Sequence, residues 1–205
     1  MDPRNDGDLL AAWHRGDTTA FEALVTRYQA RLLRHARSLL GERAQVEDVV
    51  QDTFLKLSDR PPVVDGSDAR IAEAQLAAWL FKVTRNCCMD ALRSDKRRKT
   101  RESESARQEA TPGGQRAVDG DDTRAAVEKS LERLPVDQRE VLALRLFGDQ
   151  SYKEIAAITG KKIGTVGWLI SVGLKALAEE LEPLLQPRTV PTPAGEAGLR
   201  RGLGS

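Results

Sequence analysis

The chain has 205 residues, enough for one ordinary domain or two small ones and too few for a large catalytic barrel. Apolar residues make up 40%, charged residues 31% and aromatics only 4%, a composition that favours an all-α fold over a β-sandwich. Bases and acids nearly cancel at a net +1, and the two cysteines, Cys87 and Cys88, are neighbours. That leaves no global argument for nucleic acid, no ready disulfide and no zinc framework, so no metal or cofactor is expected.

Taken in chain order, Asp8 is placed to cap a short helix carrying Leu9, Leu10 and Trp13. Thr19 with Glu22 reads as a capping box, after which Phe21, Leu24, Val25, Tyr28, Leu32, Ala36 and Leu39 recur at helical spacing up to a stop at Gly41. The stretch from Gln45 to Leu57 puts Val46, Val49, Val50, Phe54 and Leu57 on one face and Glu47, Asp48, Gln51 and Asp52 on the other. Pro61, Pro62 and Gly66 define a loop from Ser58 to Ser67. A further helix is expected from Ala69 to Arg93, burying Leu76, Trp79, Leu80 and Val83. Periodicity fails over residues 100–118, a polar stretch read as a flexible linker. It resumes from Arg124 with Val127, Leu131 and Leu134, and Pro135 can begin the next helix. Residues 187–205, with three prolines and four glycines, read as a disordered tail. The expectation is an all-α chain of two small helical domains, residues 1–99 and 119–186. No apolar run reaches the roughly 18 residues of a membrane span, and Met1 to Asp8 is polar and acidic, unlike a secretory signal. A cytoplasmic protein without membrane insertion is expected.

Charge is unevenly placed. From Lys82 to Arg101 eight bases face two acids, a local +6, whereas residues 1–81 and 118–182 each carry −3. Lys82, Arg85, Asn86 and Arg93 lie at helical spacings that can follow a phosphate backbone, and Lys96, Arg97, Arg98 and Lys99 extend the strip. Asp48, Gln51 and Asp52, at i, i+3 and i+4, share one helix face able to meet arginines of a partner. Between Ser151 and Leu181, Tyr152, Ile155, Ala156 and Ile158 face a core from one short helix. Gly160 supplies a left-handed turn, and Val166 and Ile170 anchor a second helix. This is the spacing of a helix-turn-helix, with an ordinary αα-hairpin as the plainer alternative.

The run from Leu76 to Lys99, with Trp79, Leu80, Arg85, Asn86, Asp90, Arg93 and its closing basic cluster, resembles the part of bacterial sigma factors of the extracytoplasmic-function group that opens and holds the promoter −10 element. Upstream, Asp48 to Leu57 is similar to the segment of that family that grips the clamp helices of the polymerase β′ subunit. Downstream, Leu134 to Val141 and the helix-turn-helix are similar to the domain that meets the −35 element and the polymerase flap. The resemblance spans roughly Asp8 to Leu181. It implies a sigma region 2-like bundle and a region 4-like helix-turn-helix domain, with core RNA polymerase and promoter DNA as partners. The family's base-capturing loop would fall within Arg60 to Gln75.

The chain departs from the family in its recognition helix, where Gly167, Leu169 and Val172 stand at positions that many relatives give to arginine or lysine. Lys161, Lys162, Thr165, Ser171 and Lys175 remain as polar candidates, with Trp168 placed to meet thymine methyl groups. Weak readout of the −35 element is one expectation; the other has Trp168, Leu169 and Val172 exposed toward a protein such as an anti-sigma factor. No catalytic residue is assigned, since His14 and His35 are far apart and neither a nucleophile motif nor a phosphate loop is present. The competing reading is a helix-turn-helix regulator acting without polymerase, which would have no reason to carry the Asp48, Gln51, Asp52 face.

Overall fold

A computed structural model describes residues 2–41, 45–105 and 122–185, with side chains at 99–105, 122–126, 128 and 183–185 left out. Among these residues the chain is helical throughout: α1 (Asp6–His14), α2 (Thr18–Leu40), α3 (Val46–Asp59), α4 (Ala69–Ser105), α5 (Asp122–Arg133), α6 (Val136–Leu146), α7 (Tyr152–Thr159) and α8 (Ile163–Leu185). The linker expected over residues 100–118 overlaps the end of α4 as far as Ser105, and 106–121 lie outside the described residues, as does the tail 187–205.

The helix ends show where local chemistry and the expectations part. The cap of α1 is Asn5, whose side chain accepts from the Asp8 amide, so Asp8 sits inside the first turn instead of before it. At α2 the cap is Asp17, accepting from the amides of Thr19 and Ala20. A carboxylate two residues earlier thus displaces the expected Thr19 and Glu22 pair, because it reaches two orphan amides and favours the positive end of the helix dipole. Gly41 closes α2 at φ +67°. The longest departure is α4, which runs to Ser105 where sequence periodicity suggested Arg93. Beyond Leu92 the sequence of α4 has no apolar residue, and polar neighbours meet there, such as Asp95 with Arg98 at 3.7 Å and Arg97 with the Arg93 carbonyl at 3.3 Å.

Helix α2 is the central rod. Ala20, Leu24, Tyr28, Leu32 and Ala36 are fully buried along it, and α1, α3, α4 and α6 all pack around it. Asp6 of α1 is buried, and receives both the Arg27 guanidinium and the Tyr28 hydroxyl of α2. Between α3 and α4 the hydroxyls of Thr53 and Thr84 meet at 3.1 Å in the buried interior. In the second half, α6 and α8 cross so closely that a Cβ at Gly173 would lie 2.7 Å from Leu142 Cδ1. Glycine is required there by close approach of two helices. The apolar core is continuous from Leu9 to Leu177, running through both halves.

Candidate functional site

Three surfaces carry the residues singled out in the sequence. On α3, burying Val49, Val50, Thr53, Phe54 and Leu57 turns Asp48, Gln51 and Asp52 outward, and all three are exposed. Glu47 beside them pairs with Arg37 of α2 at 3.4 Å. Leu55, 59% exposed, completes the ridge. It was missed in the sequence, yet its position off the stripe of Val46, Val49, Val50, Phe54 and Leu57 could have marked it as an outward apolar residue. Where α3 meets α4, Lys56 Nζ donates to Cys87 Sγ at 3.0 Å, and this bond raises the lysine pKa.

The second surface is α4. At about 100° per residue, Lys82, Asn86, Arg93, Lys96 and Arg97 fall on one side of the helix, and all are exposed. Arg93 keeps Asp90 at 3.0 Å, a pair exposed on both sides and so easily surrendered to a stronger anion. Arg98 turns away to Asp95. The Lys99 side chain lies outside the described residues. Arg85 is different: it leaves the strip, and its Nε donates to the Glu140 carboxylate of α6 at 2.5 Å, with Glu140 only 3% exposed. Trp79 is half-buried against the core. The loop ahead of α4 is tied down by the Asp65 amide donating to Gln75 Oε1 at 2.7 Å and the Ser67 amide donating to Asp65 Oδ1 at 3.0 Å.

The third surface is built on α7 and α8, bent by 105° across the turn at Gly160, within the range of a helix-turn-helix. Ser151 and Glu154 form a reciprocal capping box at the start of α7, and Gly160 takes the left-handed conformation at φ +72°. Ile155, Ile158, Val166 and Ile170 are buried as expected. Tyr152 is not: it is 42% exposed, and its ring lies where a Cβ at Gly167 would meet it at 3.6 Å. Lys162, Thr165 and Ser171 are exposed, and Trp168 is 61% exposed. Lys161 is engaged, its Nζ 2.8 Å from Asp137 of α6. The exposed apolar face expected from Trp168, Leu169 and Val172 reduces to Trp168, because Leu169 is buried in the hairpin and Val172 is half-buried.

These surfaces coincide with two family matches: Sigma-70 region 2 over residues 24–98 and Sigma-70, region 4 over residues 124–177. The SigL sigma factor of Mycobacterium tuberculosis, an extracytoplasmic-function (ECF) RNA polymerase sigma factor, is 31% identical, the alignment covering 82% of this chain and 92% of that one.

The chain belongs to the sigma-70 family, in its ECF group.

Its function is that of a sigma factor, promoter-specific transcription initiation with RNA polymerase, and the polymerase-independent regulator is set aside. The sigma-H factor of Pseudomonas aeruginosa is 28% identical, with 88% of this chain and 96% of that one covered. Among solved structures, the sigma factor RpoE of Bartonella quintana, in complex with the anti-sigma factor NepR, superposes with a TM-score of 0.56 at 29% identity, covering 78% of this chain and 98% of that one. CnrH in complex with the cytosolic domain of CnrY gives 0.55 at 26% identity, covering 87% and 97%. No single helix among the described residues is long and apolar enough to cross a membrane.

Proposed function

We propose that this sigma factor divides its work between two helices of its first domain, residues 1–99. The ridge of Asp48, Gln51, Asp52 and Leu55 on α3 docks on the clamp helices of the polymerase β′ subunit. The cationic side of α4, Lys82, Asn86, Arg93, Lys96 and Arg97, lies along the opened −10 region, followed in the chain by Lys99 and joined by Arg85 once it is released from Glu140. The observation that supports this is the segregation itself: α3 presents an exposed acidic ridge and α4 a run of exposed cations, with the buried threonine pair fixing one helix against the other. An acidic ridge suits arginine-rich protein helices and repels phosphate; the cations do the reverse.

In the second domain, residues 119–186, α8 meets the −35 element weakly, through Lys162, Thr165, Ser171 and the Trp168 indole, with the β flap as a further docking partner. Lys161 contributes only by leaving Asp137. An anti-sigma factor is the proposed regulator, since the related RpoE and CnrH were each solved with a partner protein, and the cytoplasm is the proposed compartment. Holoenzyme reconstitution with purified core polymerase tests the first assignment. Substituting Asp48, Gln51 and Asp52 by alanine should weaken core binding at least about tenfold with helicity unchanged; unaltered core binding refutes the docking role of α3.

A further inference from the structure

One reactive pair lies outside the surfaces assigned to polymerase and promoter. Lys56 of α3 and Cys87 of α4 each stand three residues on from the buried Thr53 and Thr84, whose hydroxyls meet at 3.1 Å. The contact that fixes the two helices therefore also fixes these two side chains, with Lys56 Nζ 3.0 Å from Cys87 Sγ. Lys56 is exposed and Cys87 keeps 7% of its surface open, which puts the pair at the rim of the α3–α4 contact, within reach of a small solute. Cys88 is sealed at 0%. It is also no resolving thiol for its neighbour, because Cα atoms across a trans peptide are about 3.8 Å apart, short of the roughly 4.4 Å at which disulfides begin. These two are the cysteines of the chain, so an oxidised Cys87 meets an amine, not a second thiol, at contact distance.

We infer that Lys56 and Cys87 form a peroxide-responsive modification site that closes into a reversible sulfur–nitrogen bridge between α3 and α4. In the first step Cys87 Sγ attacks one oxygen of a peroxide. The S–O bond forms as the O–O bond breaks, and the leaving hydroxide takes the thiol proton as water, so the sulfur is oxidised by two electrons to a sulfenic acid. In the second step the Lys56 ammonium gives one proton to solvent and its nitrogen attacks the sulfenic sulfur. The S–N bond forms as the S–O bond breaks, and hydroxide departs as water with a second nitrogen proton; no further electrons move. The bond to Cys87, with Asp52 and Asp90 nearby, holds the Lys56 pKa above its ordinary value while the sulfur is reduced. Oxidation weakens that acceptor and frees the amine, which sets the order of the two steps. Closing the gap needs only rotations within the flexible four-carbon stem of the lysine. The bridged nitrogen is neutral, so a positive charge disappears four residues from Asp52 and next to Leu55. On the docking role proposed for that ridge, on which this consequence rests, the oxidised chain presents a more acidic face to arginines and binds core polymerase more tightly, by roughly two- to fivefold, the range of an exposed charge pair.

The test treats the native full-length chain with hydrogen peroxide at mildly alkaline pH and reads the product by intact mass and tryptic peptide mapping. The wild type should lose two hydrogens, and the peptide carrying Cys87 should come off joined to the one carrying Lys56. Dithiothreitol should restore the starting mass, two thiols being oxidised to a disulfide as the S–N bond is reduced. Lys56→Arg keeps the charge at an exposed position but has no amine to offer, so it should form no bridge and halt at the sulfenic acid, captured by dimedone. Cys88→Ala should bridge as the wild type does. A wild type that stops at sulfur acids, or whose Cys87 does not react, overturns the site. So does a two-hydrogen loss that persists in Lys56→Arg or vanishes in Cys88→Ala, which would mark a disulfide instead. Bridged and reduced chains are then compared for binding to core polymerase, and equal affinities overturn the consequence for docking. The bridge is read without polymerase and the docking ridge by its alanine variants, so the failure of one is distinguishable from that of the other.

Discussion

His35 offers a sharp test of the interior. It is fully buried on α2, edge-on to the Phe81 ring at 5.3 Å, and neither ring nitrogen has a hydrogen-bond partner. Burial pushes its pKa from 6.5 down to about 3, and the positive charge of Arg85 adds to the effect. The folded chain therefore refuses a proton that the unfolded chain accepts below pH 6.5. Stability from this residue is complete above that pH and is lost as pH falls toward 3, by about 1.4 kcal/mol for each unit inside the window. Between pH 7.5 and pH 5 the loss is about 2 kcal/mol. Replacing His35 with leucine, similar in volume and without polar atoms, should abolish this component and hold or raise stability at pH 7.5, because two unpaired buried nitrogens disappear. Urea unfolding of wild type and His35→Leu at pH 7.5, 6.5 and 5.0 measures it, with the common titration of surface carboxylates cancelling in the difference. The leucine variant should gain on the wild type by about 2 kcal/mol on acidification. Parallel losses in both proteins would show that His35 takes up its proton in the folded state and would refute the reasoning.

Other outcomes follow from single interactions. Asp6→Ala should cost roughly 3 kcal/mol in thermal or urea unfolding, since it removes the acceptor of the Tyr28 hydroxyl and the carboxylate partner of Arg27, whose Nη2 keeps only the Asp2 and Arg4 carbonyls. Gly173→Ala should destabilise by about 1 to 3 kcal/mol through the clash with Leu142, whereas Gly164→Ala, with open space around the new methyl group, should stabilise by up to about 1 kcal/mol; a shift of the same sign in both would contradict the packing. Cys88, whose thiol burial pushes up to about 12, should resist a thiol reagent at pH 8 in the native protein and react after unfolding. Neutralising Arg93, Lys96 and Arg97 together should weaken promoter-complex formation and flatten its log–log salt dependence by roughly 0.7 to 0.9 for each phosphate no longer neutralised. An unchanged slope removes them from the DNA path.

Much of this architecture was readable from periodicity and turn chemistry. The stripes of α2 and α3 and the left-handed Gly160 follow from rules acting over one to four residues, and the structure places them accordingly. Where several local rules compete, sequence alone chose wrongly: Asn5 and Asp17 prevail over Asp8 and Thr19 as caps because each reaches the first free amides from the position just before the helix. The length of α4 was underestimated because residues 93–105 include no apolar side chain to create a period. On the surfaces, the exposure of Asp48, Gln51 and Asp52 followed from burial of the opposite stripe. The state of Arg85 did not, since its partner is 55 residues away and nothing local announces a charge pair formed between domains. Leu169, by contrast, was legible: it lies three residues past Val166 and next to Ile170, on the edge of the stripe that the hairpin buries.

The guanidinium of Arg31 at the end of α6 has a practical consequence for dissecting the chain. A fragment cut from residue 119 onward loses the Arg31 donor to the Phe147 carbonyl, while the Gly148 carbonyl keeps Gln150 Nε2 at 2.8 Å, so the turn leading into the helix-turn-helix is held by one partner fewer. Measurements on such a piece therefore describe a turn held by fewer bonds than it has in the intact molecule.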